Sequence, residues 1–226
     1  MNDSHDEKKT GIPQPLILLS TAYLPPVQYF TKFLLGKVLV EDDENYIKQT
    51  WRNRCLITGP NGPQILVVPV KRGSFHKVHI RDVEVDYELP WVSNHLRTFN
   101  TAYKHSPFYE YYIDDLAAIL RERPRFLLEL NRRLTVTLLD LLQVPASLSC
   151  TGKYFRPGTG KNVLDYRESI HPKKRIRDPF FRPVTYHQVF DDRYDFQPNL
   201  SVVDLLFNEG PESLAILRRS LKKTSV

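Results

Sequence analysis

PLILLSTAYLPPVQYFTKFLLGKVLVEDD, residues 15–43, decides the fold. PLILLSTA is a continuous apolar run of strand length, the pattern of a strand buried on both faces. YLPP breaks it, and Pro25 and Pro26 suit the first turn of a helix, where a missing N–H costs nothing. Val27, Phe30, Phe33 and Leu34 then recur at helical spacing, and Gly36 ends the run. KVLVEDD (37–43) is a second short apolar strand that finishes in carboxylates. Strand, helix and strand in about 30 residues make a βαβ unit, with a parallel strand pair and a right-handed crossover.

Outward from this unit, RCLIT and QILVVPV (64–70) flank the turn GPNGP, and Asn61-Gly62 predicts a β-hairpin. VHIRDVEVD (78–86) alternates like a half-buried strand. Helical periodicity follows over about 91–105, 109–123 and 125–143, with breaks at Pro107 and Pro124. SLSCT (147–151) reads as a further strand and LSVVDLLF (200–207) as a helix that Asn199 caps. The expectation is an α/β fold, with an N-terminal βαβ unit and a mixed sheet that includes the β-hairpin, followed by a mostly helical C-terminal half. Residues 1–13 read as a flexible tail, 14–90 as the α/β portion and 91–226 as the mostly helical portion of the same domain. The polar, basic stretch 152–183 within it is read as a mobile loop, because long connections of this kind serve as lids.

The 226 residues are 41% hydrophobic and 12% aromatic, which fits a globular chain with one main core. No apolar run approaches the roughly 20 residues of a membrane span, and the polar N-terminus lacks a secretory apolar segment. Two cysteines, Cys55 and Cys150, are too few for a disulfide framework or a zinc cluster, so a reducing cytoplasm is expected. The net charge of +6 points to an anionic partner. The chain lacks a zinc finger, a ribonucleoprotein motif and a clear helix-turn-helix, which argues against nucleic acid. It also lacks nucleotide-binding and serine-hydrolase fingerprints. His76 and His79 lie three apart without a third ligand at a useful spacing, so no metal site is assigned to them. His95 is read as a satisfied surface histidine.

ENYIKQTWRNRCLIT (44–58) crowds donor-bearing side chains at the mouth of a strand. Ligand sites in open α/β sheets lie beyond the carboxyl ends of parallel strands. The loops after the first two strands therefore face one crevice and bring Tyr23 and a helix N-terminus near Asp42, Asp43, Lys48, Arg52, Asn53 and Arg54. Arginine forks, a lysine and a helix N-terminus match phosphate or carboxylate. Asp42 and Asp43 are the candidate catalytic carboxylates: they suit a bound Mg²⁺, a proton acceptor, or a grip on sugar hydroxyls. The plainer reading pairs them with Arg52 and Arg54 as a salt-bridge network. Strand alternation would send Arg52 and Arg54 into the crevice together, with Trp51 and Asn53 on the other face. Lys173, Lys174 and Arg175 are the candidate lid residues that would approach a bound anion.

These stretches resemble the WbqC-like family. LLSTAYLPPVQYFTKFL is similar to its opening strand and helix, and VLVEDDENYIKQTWRNRCLI to its most specific block. ILVVPVK, SPFYEYY and NLSVVDLLFNEGPES extend the resemblance through most of the chain. Many relatives carry Gln-Pro where Ser20, Thr21 and Ala22 stand here. Members occur among genes for bacterial surface polysaccharide such as O-antigen, so the resemblance implies work on nucleotide-linked sugars. A second likeness, to nucleotidylyltransferases with His-x-Gly-His, fails chemically, because Val27 and Phe30 would occupy the histidine positions.

Two functions follow. One is a transferase-type enzyme of surface-polysaccharide biosynthesis, acting on a nucleotide- or phosphate-linked sugar. The other is a non-catalytic scaffold that binds proteins through the aromatic FYEYY (108–112) of the helical half. A homo-oligomer is compatible with both.

Overall fold

A computed structural model describes residues 14–71, 78–160, 162–174 and 176–222. The expected N-terminal tail, His76 and Arg175 lie outside the described residues. The βαβ unit is present: β1 (Leu16–Ser20), α1 (Val27–Leu35) and β2 (Lys37–Glu41). β1 and β2 pair in parallel with Leu16 opposite Lys37 and Ser20 opposite Glu41, so their carboxyl ends finish flush. β3 (Arg54–Gly59) and β4 (Gly62–Val67) form the antiparallel hairpin as a sheet of their own. Three helices follow, α2 (Trp91–Tyr103), α3 (Tyr109–Glu122) and α4 (Leu127–Leu141). Two short strands from the C-terminal half then join the first sheet: β5 (Ser149–Cys150) beside β2 and β6 (Val163–Asp165) beside β1. The order β5-β2-β1-β6 is parallel throughout. α5 (Val202–Glu209) and α6 (Ser213–Ser220) close the fold. Among the described residues no helix is long and apolar enough to cross a membrane.

β1 is central, with strands on both edges, and Ile17, Leu18 and Leu19 are buried. That burial is why its sequence is apolar without alternation. α1 buries nearly its whole length, Lys32 included; the Lys32 ammonium pairs with Asp178 and stands 4.4 Å from the Tyr166 ring centroid. Gly36 ends α1 because a Cβ there would lie 2.2 Å from the Pro15 carbonyl oxygen. The first turn of α1 has its donors satisfied from far along the chain. Val27 N donates to Leu200 O and Gln28 N to Asn199 Oδ1, each at 2.9 Å. Ser201 Oγ donates to Leu24 O at 2.6 Å. Asn199 thus caps α1, and Ser201 is the residue before α5.

Residues 78–86 differ from the expected strand. They form a 3-10 turn, Ile80–Asp82, between isolated bridges from His79 to Asn45, Val85 to Val70 and Glu84 to Phe126. The alternation is real, since Ile80, Val83 and Val85 are buried. The partners change too quickly for one ladder to form.

His95 is buried rather than superficial. Its Nδ1 lies 2.9 Å from Tyr23 Oη, Trp91 packs edge-on to it, and burial pushes its pKa down to about 4. Asp204 is buried between the hydroxyls of Tyr103 (2.9 Å) and Tyr186 (2.7 Å) and the amide of Gln188 (3.0 Å), and burial raises it to about 6. The two groups act in opposite directions. Asp204 adds stability below pH about 4 that is lost as pH rises through 6. His95 adds stability above pH about 6.5 that is lost as pH falls through 4. Each amounts to about 3 kcal/mol, so they offset one another. Denaturation of Asp204→Asn between pH 4 and 6.5 should show stability climbing more steeply with pH than in the wild type. His95→Gln should tilt the other way. Parallel profiles for all three proteins would contradict the assignment.

Candidate functional site

The carboxyl ends of β1, β2, β5 and β6 meet at one edge of the sheet, and Glu41 ties them together. This carboxylate ends β2 and is fully buried. Its Oε2 accepts from Arg167 Nη1 at 2.8 Å and from Phe155 N at 2.9 Å. Its Oε1 accepts from Asp43 N at 3.0 Å and lies 2.7 Å from Thr151 Oγ1. Arg167 in turn forks onto Asp165, Nε to Oδ1 at 3.0 Å and Nη2 to Oδ2 at 2.6 Å, and its guanidinium lies over the Tyr154 ring. The Asp165 hydrogen bonds, chiefly, raise the Arg167 pKa and keep it charged. β6 and the segment after β5 are thereby fastened to β2 by charge-assisted bonds.

A second knot sits beside the first. Arg52 is buried and forks onto Glu44, Nε to Oε1 at 2.9 Å and Nη2 to Oε2 at 2.6 Å. Its Nη2 also donates to Ser20 Oγ at 2.7 Å. Burial raises the Glu44 pKa despite this pairing. Residues 51–53 form a 3-10 turn, so strand alternation begins only at Arg54 and the expected shared direction of Arg52 and Arg54 does not arise from a strand. Arg54 is half-buried, and its Nε has no hydrogen-bond partner. Asn53 is buried, and its amide donates to Val68 O at 2.9 Å. Tyr23 is in the core against His95 and Trp91, and the N-terminus of α1 is covered by residues 199–200. Lys48 stands exposed on the loop. The sequence therefore drew toward one crevice several residues that the fold uses elsewhere.

What faces solvent is an open cleft of about 710 Å³, lined by Asp43, Glu44, His79, Tyr154, Asp165, Arg167 and Glu168 among others. Asp43 is the one of the acidic pair that lines it. Its Oδ2 accepts from Tyr154 N at 3.1 Å, and its Oδ1 lies 3.3 Å from Arg81 Nη2 and 3.5 Å from His79 Nδ1. Asp42 lines a different cavity; its Oδ1 accepts from Gly152 N at 2.9 Å and sits 3.7 Å from Arg81 Nη2. The acids of EDDE thus pair in an unforeseen way: the outer Glu41 and Glu44 take Arg167 and Arg52, and the inner two take Arg81. Among the described residues no group of three or more His, Cys, Asp or Glu is placed to hold a metal ion.

The segment 152–183 is anchored at several points. Asp165 and Arg167 hold it to β2, and Asp178 holds it to α1 through Lys32 and Gln28. Between those anchors Lys174 pairs with Glu168 at 2.9 Å, and Lys173 Nζ donates to the Gln49 side chain. The FYEYY cluster divides: Tyr109 packs edge-on against Phe207, and Tyr111 is exposed. His79, Tyr154, Asp165, Arg167 and Glu168 were not singled out as site residues from sequence. The available signal was Asp165-x-Arg167, an acid and a base two apart directly after the apolar pair Val163-Leu164.

Removing one partner of a buried pair leaves the other charge uncompensated, which costs about 3–5 kcal/mol. Arg167→Ala should therefore lower the unfolding free energy by that amount in a denaturant titration. Arg81→Ala, at an exposed guanidinium, should cost below about 1 kcal/mol. Equal losses in the two variants would refute the hub role of Arg167.

Comparisons with known proteins agree with the resemblance. The model of the WbqC-like protein family matches residues 21–179 and 150–216. A Mycobacterium tuberculosis protein, described as uncharacterized protein Rv1507c, is 28% identical over 224 residues, covering 89% of this chain and 96% of that protein. No solved structure matches. With the family model spanning both the acidic strand end and the C-terminal helices, the chain belongs to the WbqC-like protein family.

Proposed function

We propose that this protein is a transferase-type enzyme that acts on a nucleotide- or phosphate-linked sugar in bacterial surface-polysaccharide biosynthesis. The observation that carries this reading is the alignment of the His79 imidazole on the Asp43 carboxylate at the cleft. The carboxylate stands 3.5 Å from Nδ1, and closing to hydrogen-bond distance when a ligand binds would set the tautomer with Nε2 as the proton acceptor, the arrangement of a general base. Asp43 is itself held by Tyr154 N and Arg81, and the backbone of 78–80 is held by Tyr46 N to Val78 O and Ile80 N to Glu44 O, both 2.8 Å. His79 would accept the proton of an attacking hydroxyl while the leaving group of the donor departs.

The lining suits a sugar. Carboxylates accept hydroxyl hydrogen bonds, and the half-exposed Tyr154 ring offers a face for a pyranose. The two buried arginines are already forked onto carboxylates, so we assign the phosphates to the rim. Lys173, whose ammonium donates to the neutral Gln49 side chain, is the cation placed for that part. The association of WbqC-like proteins with surface-polysaccharide genes supports the choice of sugar.

Thermal shift against a panel of nucleotide sugars, free nucleotides and free sugars tests the substrate class, with stabilisation by nucleotide sugars expected. Turnover of the stabilising ligand should fall about 10²–10⁴-fold in His79→Ala, the range of general-base catalysis, with ligand binding retained. Lys173→Ala combined with Lys174→Ala should weaken binding several-fold and leave the melting temperature of the free protein unchanged. Full turnover in His79→Ala would sink the catalytic assignment.

A further inference from the structure

A second cavity, of about 660 Å³, opens on the other side of the β2 carboxyl end. Asp42 lines it, whereas its neighbour Asp43 lines the cleft. The two cavities are joined by Arg81: its Nη2 lies 3.3 Å from Asp43 and 3.7 Å from Asp42, and its Nε donates to Asp42 O at 3.0 Å. One wall is apolar, formed by Ile119, Phe126, Leu128 and Val136. Val136 is 40% exposed and extends this apolar wall to the mouth of the cavity.

The polar side of the lining carries three guanidiniums against two carboxylates, Asp42 and Glu129. Arg81, Arg132 and Arg133 all line the cavity. Arg133 is paired with Glu122 and Arg81 with the aspartates, while exposed Arg132 has no carboxylate partner among the described residues. Arg132 instead acts on Cys150 across the cavity, where it opposes the upward push of burial on that thiol. An apolar wall beside an uncommitted guanidinium complements a molecule with an apolar chain and an anionic head.

We propose that this cavity binds an amphipathic anion, an alkyl or acyl chain ending in phosphate or carboxylate. The head lies on Arg132 toward Arg81, and the chain lies along Phe126, Leu128 and Val136. Its occupancy stands on this geometry alone.

Dodecyl phosphate and dodecanoate below their micellar concentrations, with dodecanol and inorganic phosphate as the single-feature controls, test it by calorimetry on the full chain. Either or both amphipathic anions should bind, and each control should bind at least about tenfold more weakly. The bare arm identifies the head: preference for the phosphate or for the carboxylate names the ligand. Arg132→Ala and Val136→Glu, both at exposed positions that leave the fold intact, should each reduce affinity about tenfold or more, the loss expected of one charge-assisted contact or of a charge placed against the chain. His79→Ala should bind the probe like the wild type, which separates this site from the chemistry proposed for the cleft. Binding of inorganic phosphate as tight as dodecyl phosphate would overturn the proposal, as would probe affinity unchanged in both variants. A dimer in light scattering that Val136→Glu dissociates, with no probe bound, would assign the groove to a second copy instead.

Discussion

A single buried carboxylate, Glu41, sets the conditions for the rest of the molecule. It ends the second strand of a parallel sheet, where the chain must turn away and where backbone donors need acceptors. Its two oxygens serve Asp43, Phe155, Arg167 and Thr151, groups that come from four places in the sequence. In a dry environment such a charge survives only when it is fully surrounded by donors. The requirement works in both directions: Glu41 recruits the C-terminal segments to the sheet edge, and their donors satisfy both of its oxygens there.

That arrangement shapes the chemistry left over for ligands. The arginines richest in hydrogen-bond capacity are consumed in holding the edge together, Arg167 by Glu41 and Asp165, Arg52 by Glu44 and Ser20. The cleft above them is consequently acid-lined with an aromatic face, although the whole chain carries a charge of +6. Global charge and local site chemistry are separate quantities, because the excess of lysine and arginine over acid is spread across the surface.

The fold was readable where one physical rule governed one segment. Residues 15–43 obey burial on both faces and then helical spacing, and the hairpin follows from Asn61-Gly62. β5 and β6 were harder, since strands of two and three residues carry no periodicity. The site was legible to the level of the strand end. EDDE marked the right place, but the burial of Glu41 depends on partners more than 100 residues away, Arg167 and Thr151. Arg52 and Asn53 belonged to that neighbourhood, yet a 3-10 turn at 51–53 broke the alternation used to orient them. His79 was weighed as a metal ligand; its position beside Asp43 comes from bridges between 44–46 and 78–80 that no local pattern encodes.

The cap on α1 has a consequence for how the chain is made. α1 obtains its N-terminal hydrogen-bond acceptors from Asn199 and Leu200, and the strand before it obtains its second neighbour from residues 163–165, all of which are synthesised long after it. Closing contacts of such sequence separation costs chain entropy before it returns stability, and it slows folding. The βαβ unit therefore waits, apolar and one-sided, until the segments that complete it have been made. Made before its partners, it is finished only with them.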